Sequence, residues 1–147
     1  MRTRKHRLDK VGLVAKGKVD AAANRLRDAR HNEAEEQSRL DQLIEFSREF
    51  DQFLDRRDSD TLSPRQLEEY RRFMHRLHGA VDQQSQTAAA TVDAVASSSA
   101  EWKQASLYER TLKNLITQQN AEATRAEEKK EQAKLDATWK QSSDSEF

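Results

Sequence analysis

The chain has 147 residues with no cysteine, one proline and three glycines, and its 26 Lys and Arg balance 26 Asp and Glu. Without cysteine there is no disulfide framework and no thiol chemistry, and a neutral chain singles out no class of charged partner. At 35% charged and 35% hydrophobic residues it has too few large apolar side chains for a compact domain, and its composition is that of long helix or coiled coil.

The first predicted helix covers about residues 4–57. Along it Ala15, Val19, Ala22, Leu26, Ala29, Glu33, Glu36, Leu40, Leu43, Ser47, Phe50 and Leu54 follow alternating steps of four and three. That spacing keeps one seam turned toward a partner helix, and Leu8 and Val11 extend it upstream. Gly12 and Gly17 weaken the early turns by roughly 1 kcal/mol each relative to alanine. The middle of the seam is polar and much of the rest is alanine, so it is thin. About fifty residues at ~1.5 Å each make a rod on the order of 75 Å.

A turn is expected at residues 58–63. Asp58, Ser59 and Asp60 compete with the backbone for hydrogen bonds. Ser63 is a suitable N-cap, Pro64 suits the first helical position, and Gln66 completes a capping box.

The second helix is expected at about residues 64–140. Its seam runs through Leu67, Tyr70, Met74, Leu77, Val81, Gln84, Ala88, Thr91, Val95, Ser98, Trp102, Ala105, Glu109, Leu112, Ile116, Gln119, Ala123 and Ala126. The serines at 97–99 read as a soft spot in a continuous helix. Folding about the turn sets Leu8 opposite Leu112 and Val19 opposite Trp102, with the second helix overhanging from Gln119. The fold class is therefore all-α, a long two-helix antiparallel coiled-coil hairpin. It is expected as a single domain over residues 1–141, with a disordered polar tail at 142–147.

Charge is uneven along the chain. Residues 1–18 hold seven basic residues against Asp9, and residues 33–69 hold twelve acidic against five basic. Such ends could dock on different surfaces; the plainer alternative is a solvated helix with incidental charges. The basic segment has no interleaved aromatics, so it supports at most unspecific attraction to nucleic acid, and none is expected as a partner. His75 and His78 have a metal spacing but no third ligand nearby. Asp55, Asp58 and Asp60 lack the glycine and terminal glutamate of a calcium loop. No phosphate loop, nucleophile elbow or zinc motif occurs. The chain is read as non-enzymatic, with no cofactor and no metal. No apolar run approaches the ~18 residues of a membrane span, and the N-terminus lacks the apolar stretch of a signal peptide. A cytoplasmic protein without direct membrane insertion is expected.

Two aromatic stripes stand out. Leu43, Phe46, Phe50 and Phe53 recur at three and four on the first helix, as do Tyr70, Phe73, Leu77 and Ala80 on the second. Phe46, Phe53, Phe73 and Ala80 fall on flanks that one partner helix does not cover. They either widen the core locally or form a partner-binding patch.

These stripes on either side of an Asp/Ser-rich corner resemble the flagellar export protein FliJ family. So do Arg7-Leu8-x-x-Val11-x-x-Val14-Ala15, the segment Ala34-Glu35-Glu36-Gln37, and Trp102 midway along the second helix. The resemblance covers nearly the whole chain. It implies an antiparallel coiled coil like the central stalk of rotary ATPases. The implied role is a stalk and escort component of the flagellar type III export apparatus, on the cytoplasmic side of the membrane at the flagellar base. The implied partners are the hexameric export ATPase, the membrane export gate protein and export chaperones. By motif position, gate binding falls to Phe73, Leu77 and Ala80, and a surface on the first helix to Leu43, Phe46 and Phe50. The ATPase-binding end falls to Arg4, Arg7, Leu8 and Val11. Phe46 and Phe50 replace tyrosines frequent in the family. Arg39 stands for a usual glutamine and Gln84 for an occasional histidine, and the contacts of these two stay open. A generic coiled-coil scaffold, or a stalk protein of a virulence-type secretion system, is the alternative.

Overall fold

A computed structural model describes residues 2–56 and 62–145. Two helices make up the described chain, α1 at Arg2–Arg56 and α2 at Pro64–Ser145. They pack against each other as an all-α helical hairpin. Residues 57–61 lie outside the described residues, and with them most of the expected turn.

The start of α2 follows from three side chains. Ser63 Oγ accepts from the Gln66 backbone N–H at 3.3 Å, while the Ser63 N–H donates to Gln66 Oε1 at 3.2 Å. This is the reciprocal capping box expected from Ser63 and Gln66. The first full helical bond, Leu67 N–H to Ser63 C=O at 3.0 Å, closes the turn around Pro64. Further along, α2 runs unbroken through the serines at 97–99. It also runs through residues 142–145, where a disordered tail was expected. There the hydroxyls of Ser142, Ser143 and Ser145 each donate to a carbonyl three residues back, at 2.9–3.0 Å, and of these acceptors the Ser142 carbonyl is one of the last four that a helix end leaves free. Residues 146 and 147 are outside the described set.

Contacts divide the chain into two compact units where one domain was expected: residues 20–103, and residues 1–19 together with 104–147.

In the unit of residues 20–103, the α1 seam is buried or half-buried at every expected position from Ala22 to Leu54. On α2, Met74, Leu77, Ala88 and Thr91 are buried, and Leu67, Tyr70, Val81, Gln84, Val95 and Ser98 half-buried. Ala22 is only 2% exposed, which brings the helix backbones close. Trp102, expected in the seam, is 36% exposed. The polar middle of the seam is satisfied. Gln84 Nε2 donates to Glu36 Oε2 at 2.6 Å and to the Glu36 carbonyl at 3.0 Å, and Arg39 Nη1 donates to Glu36 Oε1 at 2.8 Å. Thr91 is buried and donates to the Ala88 carbonyl at 2.6 Å. Among the described residues no buried side-chain polar atom lacks a partner.

In the unit of residues 1–19 and 104–147, Ala15 and Leu112 are buried, and Leu8, Gly12, Val19, Ala105, Glu109, Ile116 and Gln119 half-buried. Leu8 was expected opposite Leu112. Instead it lines a groove with Arg4, Asp9, Ile116 and Gln119, and a Cβ on Gly12 would touch Ile116 Cδ1 at 3.7 Å. Ala123 and Ala126, expected in the seam, are exposed, as is all of α2 from residue 120 to 145.

Candidate functional site

In the unit of residues 20–103 the steps of three and four bring both aromatic stripes to one place. Phe50 is the hub. Its ring centroid lies 4.9 Å from Phe73, 5.7 Å from Tyr70, 6.2 Å from Phe53 and 6.4 Å from Phe46. Phe46 and Phe73 meet edge to face at 6.5 Å, a favoured arrangement for the ring quadrupoles. Phe46 and Phe50, from the surface expected on α1, thus meet Phe73, from that expected on α2.

Burial divides the members of these two surfaces. Leu77 is only 7% exposed and belongs to the core, with Met74 beside it. Leu43, Phe50 and Phe73 are half-buried, and Ala80 is exposed. Phe46 keeps 48% of its surface open. Phe73 was expected on a free flank, but its contacts with Phe46 and Phe50 make it part of the local packing. Phe50, Tyr70 and Phe73 line a shallow groove rimmed by Gln66 and Glu69. The opposite flank carries a second groove, where Ile44 and Val81 lie among Arg48, Asp51 and Asp55.

Arg39 and Gln84, whose contacts the sequence left open, both end on Glu36. Gln84 bridges the helices and Arg39 lies on the outer side. At the other end of this unit Arg25 Nε pairs with Glu101 at 3.6 Å.

In the unit of residues 1–19 and 104–147, Arg4 and Arg7 are exposed, Leu8 is half-buried in its groove, and Val11 is 41% exposed. Two features here escaped sequence reading. Tyr108 and Leu115 are exposed on the flank of α2, and Leu135 and Trp139, four apart, are 68% and 77% exposed. The spacing of Leu135 and Trp139 off the seam is the signal that could have found them.

His75 and His78 are both exposed. Among the described residues no group of three metal-ligating side chains converges, and Asp58 and Asp60 lie outside that set. No helix among the described residues is long and apolar enough to cross a membrane.

The arrangement is that of an interaction protein: paired helices whose open features are an aromatic patch and grooves along the helix contact. The chain belongs to the family of flagellar FliJ proteins, whose family model matches residues 4–140. It is accordingly a component of the flagellar export apparatus. No curated protein and no solved structure matches it.

Proposed function

We propose that this chain is a non-catalytic stalk and escort factor of the flagellar type III export apparatus. It works on the cytoplasmic side of the membrane, where it binds the hexameric export ATPase, the export gate and export chaperones. The observation that carries this reading is the aromatic patch on a chain matched to the family from residue 4 to 140. Phe46, nearly half exposed and braced by Phe50 and Phe73, is a pre-ordered apolar anchor of the kind that dominates protein interfaces. Phe73, Leu77 and Ala80 face the export gate in this reading, Leu43, Phe46 and Phe50 extend the same surface, and Arg4, Arg7, Leu8 and Val11 engage the ATPase.

Pull-down with the purified export ATPase tests the first partner, and deletion of residues 1–18 should abolish it. Full stimulation of ATP hydrolysis by the truncated protein would show that the contact lies elsewhere. Phe46→Ala tests the patch. It should weaken gate binding by about thirtyfold, the size of a hot-spot loss, with ATPase binding intact.

A further inference from the structure

A second surface lies in the unit of residues 1–19 and 104–147. On α1, Arg4, Arg7, Val11, Val14 and Lys18 recur at steps of three and four, so they form one stripe. All five are exposed, and Val14 keeps 59% of its surface open. On α2, Tyr108 and Leu115 are 55% and 45% exposed, with exposed Thr111 between them. Val11, expected in the seam, is exposed, and like Tyr108 and Leu115 it precedes a half-buried residue, namely Gly12, Glu109 and Ile116. In an antiparallel pair that offset puts them on the same side. The same offset brings Arg25, which precedes buried Leu26, to Glu101 in the other unit. The stripes of the two helices are therefore one face.

Its chemistry is basic and apolar, with almost no acid. Between Arg4 and Lys18 the only carboxylate is Asp9. It lines the groove beside Leu8, as Arg4 also does, whereas Val11 and Val14 do not line it. Between Gln104 and Gln118 the only one is Glu109, which turns into the seam and pairs with Lys113 at 2.8 Å. Apolar side chains with a tyrosine, edged by Lys and Arg, match the boundary between anionic headgroups and acyl chains.

We propose that this face adsorbs directly to an anionic lipid surface. The helices lie on the membrane, with Val11, Val14 and Leu115 at the headgroup boundary, and do not span it. The proposal shares Arg4, Arg7 and Val11 with the ATPase reading, so its test uses Val14 and Leu115, which that reading does not name.

The test is co-sedimentation of the full chain with vesicles. Phosphatidylcholine vesicles containing phosphatidylglycerol should bind the protein at low salt, and pure phosphatidylcholine should not. Val14→Glu with Leu115→Glu should weaken binding by about tenfold or more, since each charge near such a surface is worth about fivefold. Neither residue belongs to the proposed ATPase or gate contacts. Because the chain has no cysteine, a nitroxide on Leu115→Cys reports depth without that double variant. The label should become oxygen-accessible in the bilayer, and one on Asp82→Cys should stay aqueous. The proposal is overturned by failure to bind anionic vesicles at low salt, by binding that the double variant leaves unchanged, or by a water-exposed label at 115 on bound protein. Loss of ATPase binding in the double variant, with wild type ignoring vesicles, would reassign the face to a protein partner.

Discussion

Phe50 touches four other rings, which makes each ring of the cluster both packing and surface. Truncation at these positions therefore separates by burial. Leu77→Ala removes a core side chain and should cost about 3 kcal/mol in urea unfolding. Phe73→Ala should cost less, about 2 kcal/mol, since half-burial forfeits part of a core aromatic's value. A gate-binding defect in Leu77→Ala is thus informative only alongside its melting curve, and Phe46→Ala is the cleaner probe. Glu36 supplies the second residue-scale expectation. Gln84→Ala leaves its part-buried carboxylate and carbonyl without their cross-helix donor and should destabilise by about 1–2 kcal/mol. Replacing both by leucine, Glu36→Leu with Gln84→Leu, should restore most of that loss, because the part-buried carboxylate is then gone and exposed Arg39 is left to water. A double variant as unstable as Gln84→Ala would show that this pair also sets the local packing.

At the scale of the element, the two early glycines of α1 behave differently from what their helix-breaking tendency suggests. The helix runs through both. A Cβ on Gly17 would meet nothing within 4 Å, and one on Gly12 would make ordinary van der Waals contact with Ile116. Gly17→Ala should therefore stabilise α1 by about 0.5–1 kcal/mol, its helix-propensity gain, visible as a higher melting temperature by circular dichroism. α2 shows the converse. From residue 120 to 145 it is exposed throughout, so it lacks the tertiary packing that supplies most helical stability in proteins. Amide hydrogens there should exchange fastest among the helical residues, and those of residues 67–81 slowest. Slow exchange at 121–145 in the isolated protein would mean that a second copy covers them.

For the molecule as a whole, stability comes from a narrow line of small and medium apolar residues and not from a broad core. Ala15, Ala22, Leu26, Leu40, Met74, Leu77, Ala88 and Leu112 are its buried apolar members. Such a fold gives up little area per residue on unfolding, so its margin is small. Its surfaces stay available instead, as an interaction component of an export machine requires. Ion pairs such as Arg72–Glu68 at 3.0 Å and Arg65–Glu69 at 3.9 Å are exposed and add little at physiological salt.

Periodicity alone determined which side of each helix is inward, because a 3.5-residue repeat leaves one stripe no alternative to burial. This is why the α1 seam is legible from Ala15 to Leu54, and the α2 seam from Leu67 to Gln119 apart from Trp102. Ser63, Pro64 and Gln66 likewise determined where α2 starts, since a capping box is a local device. Other features depended on atoms distant in the chain. Leu8 came to line a groove with Ile116 and Gln119. Trp102 is more exposed than its seam position suggests. Phe73 lost its free flank when Phe46 and Phe50 arrived from the other helix, and Arg39 and Gln84 acquired a shared partner in Glu36. A repeating pattern specifies direction around a helix axis; only the packed pair decides which residues meet, since that depends on the distance between axes and the reach of each side chain.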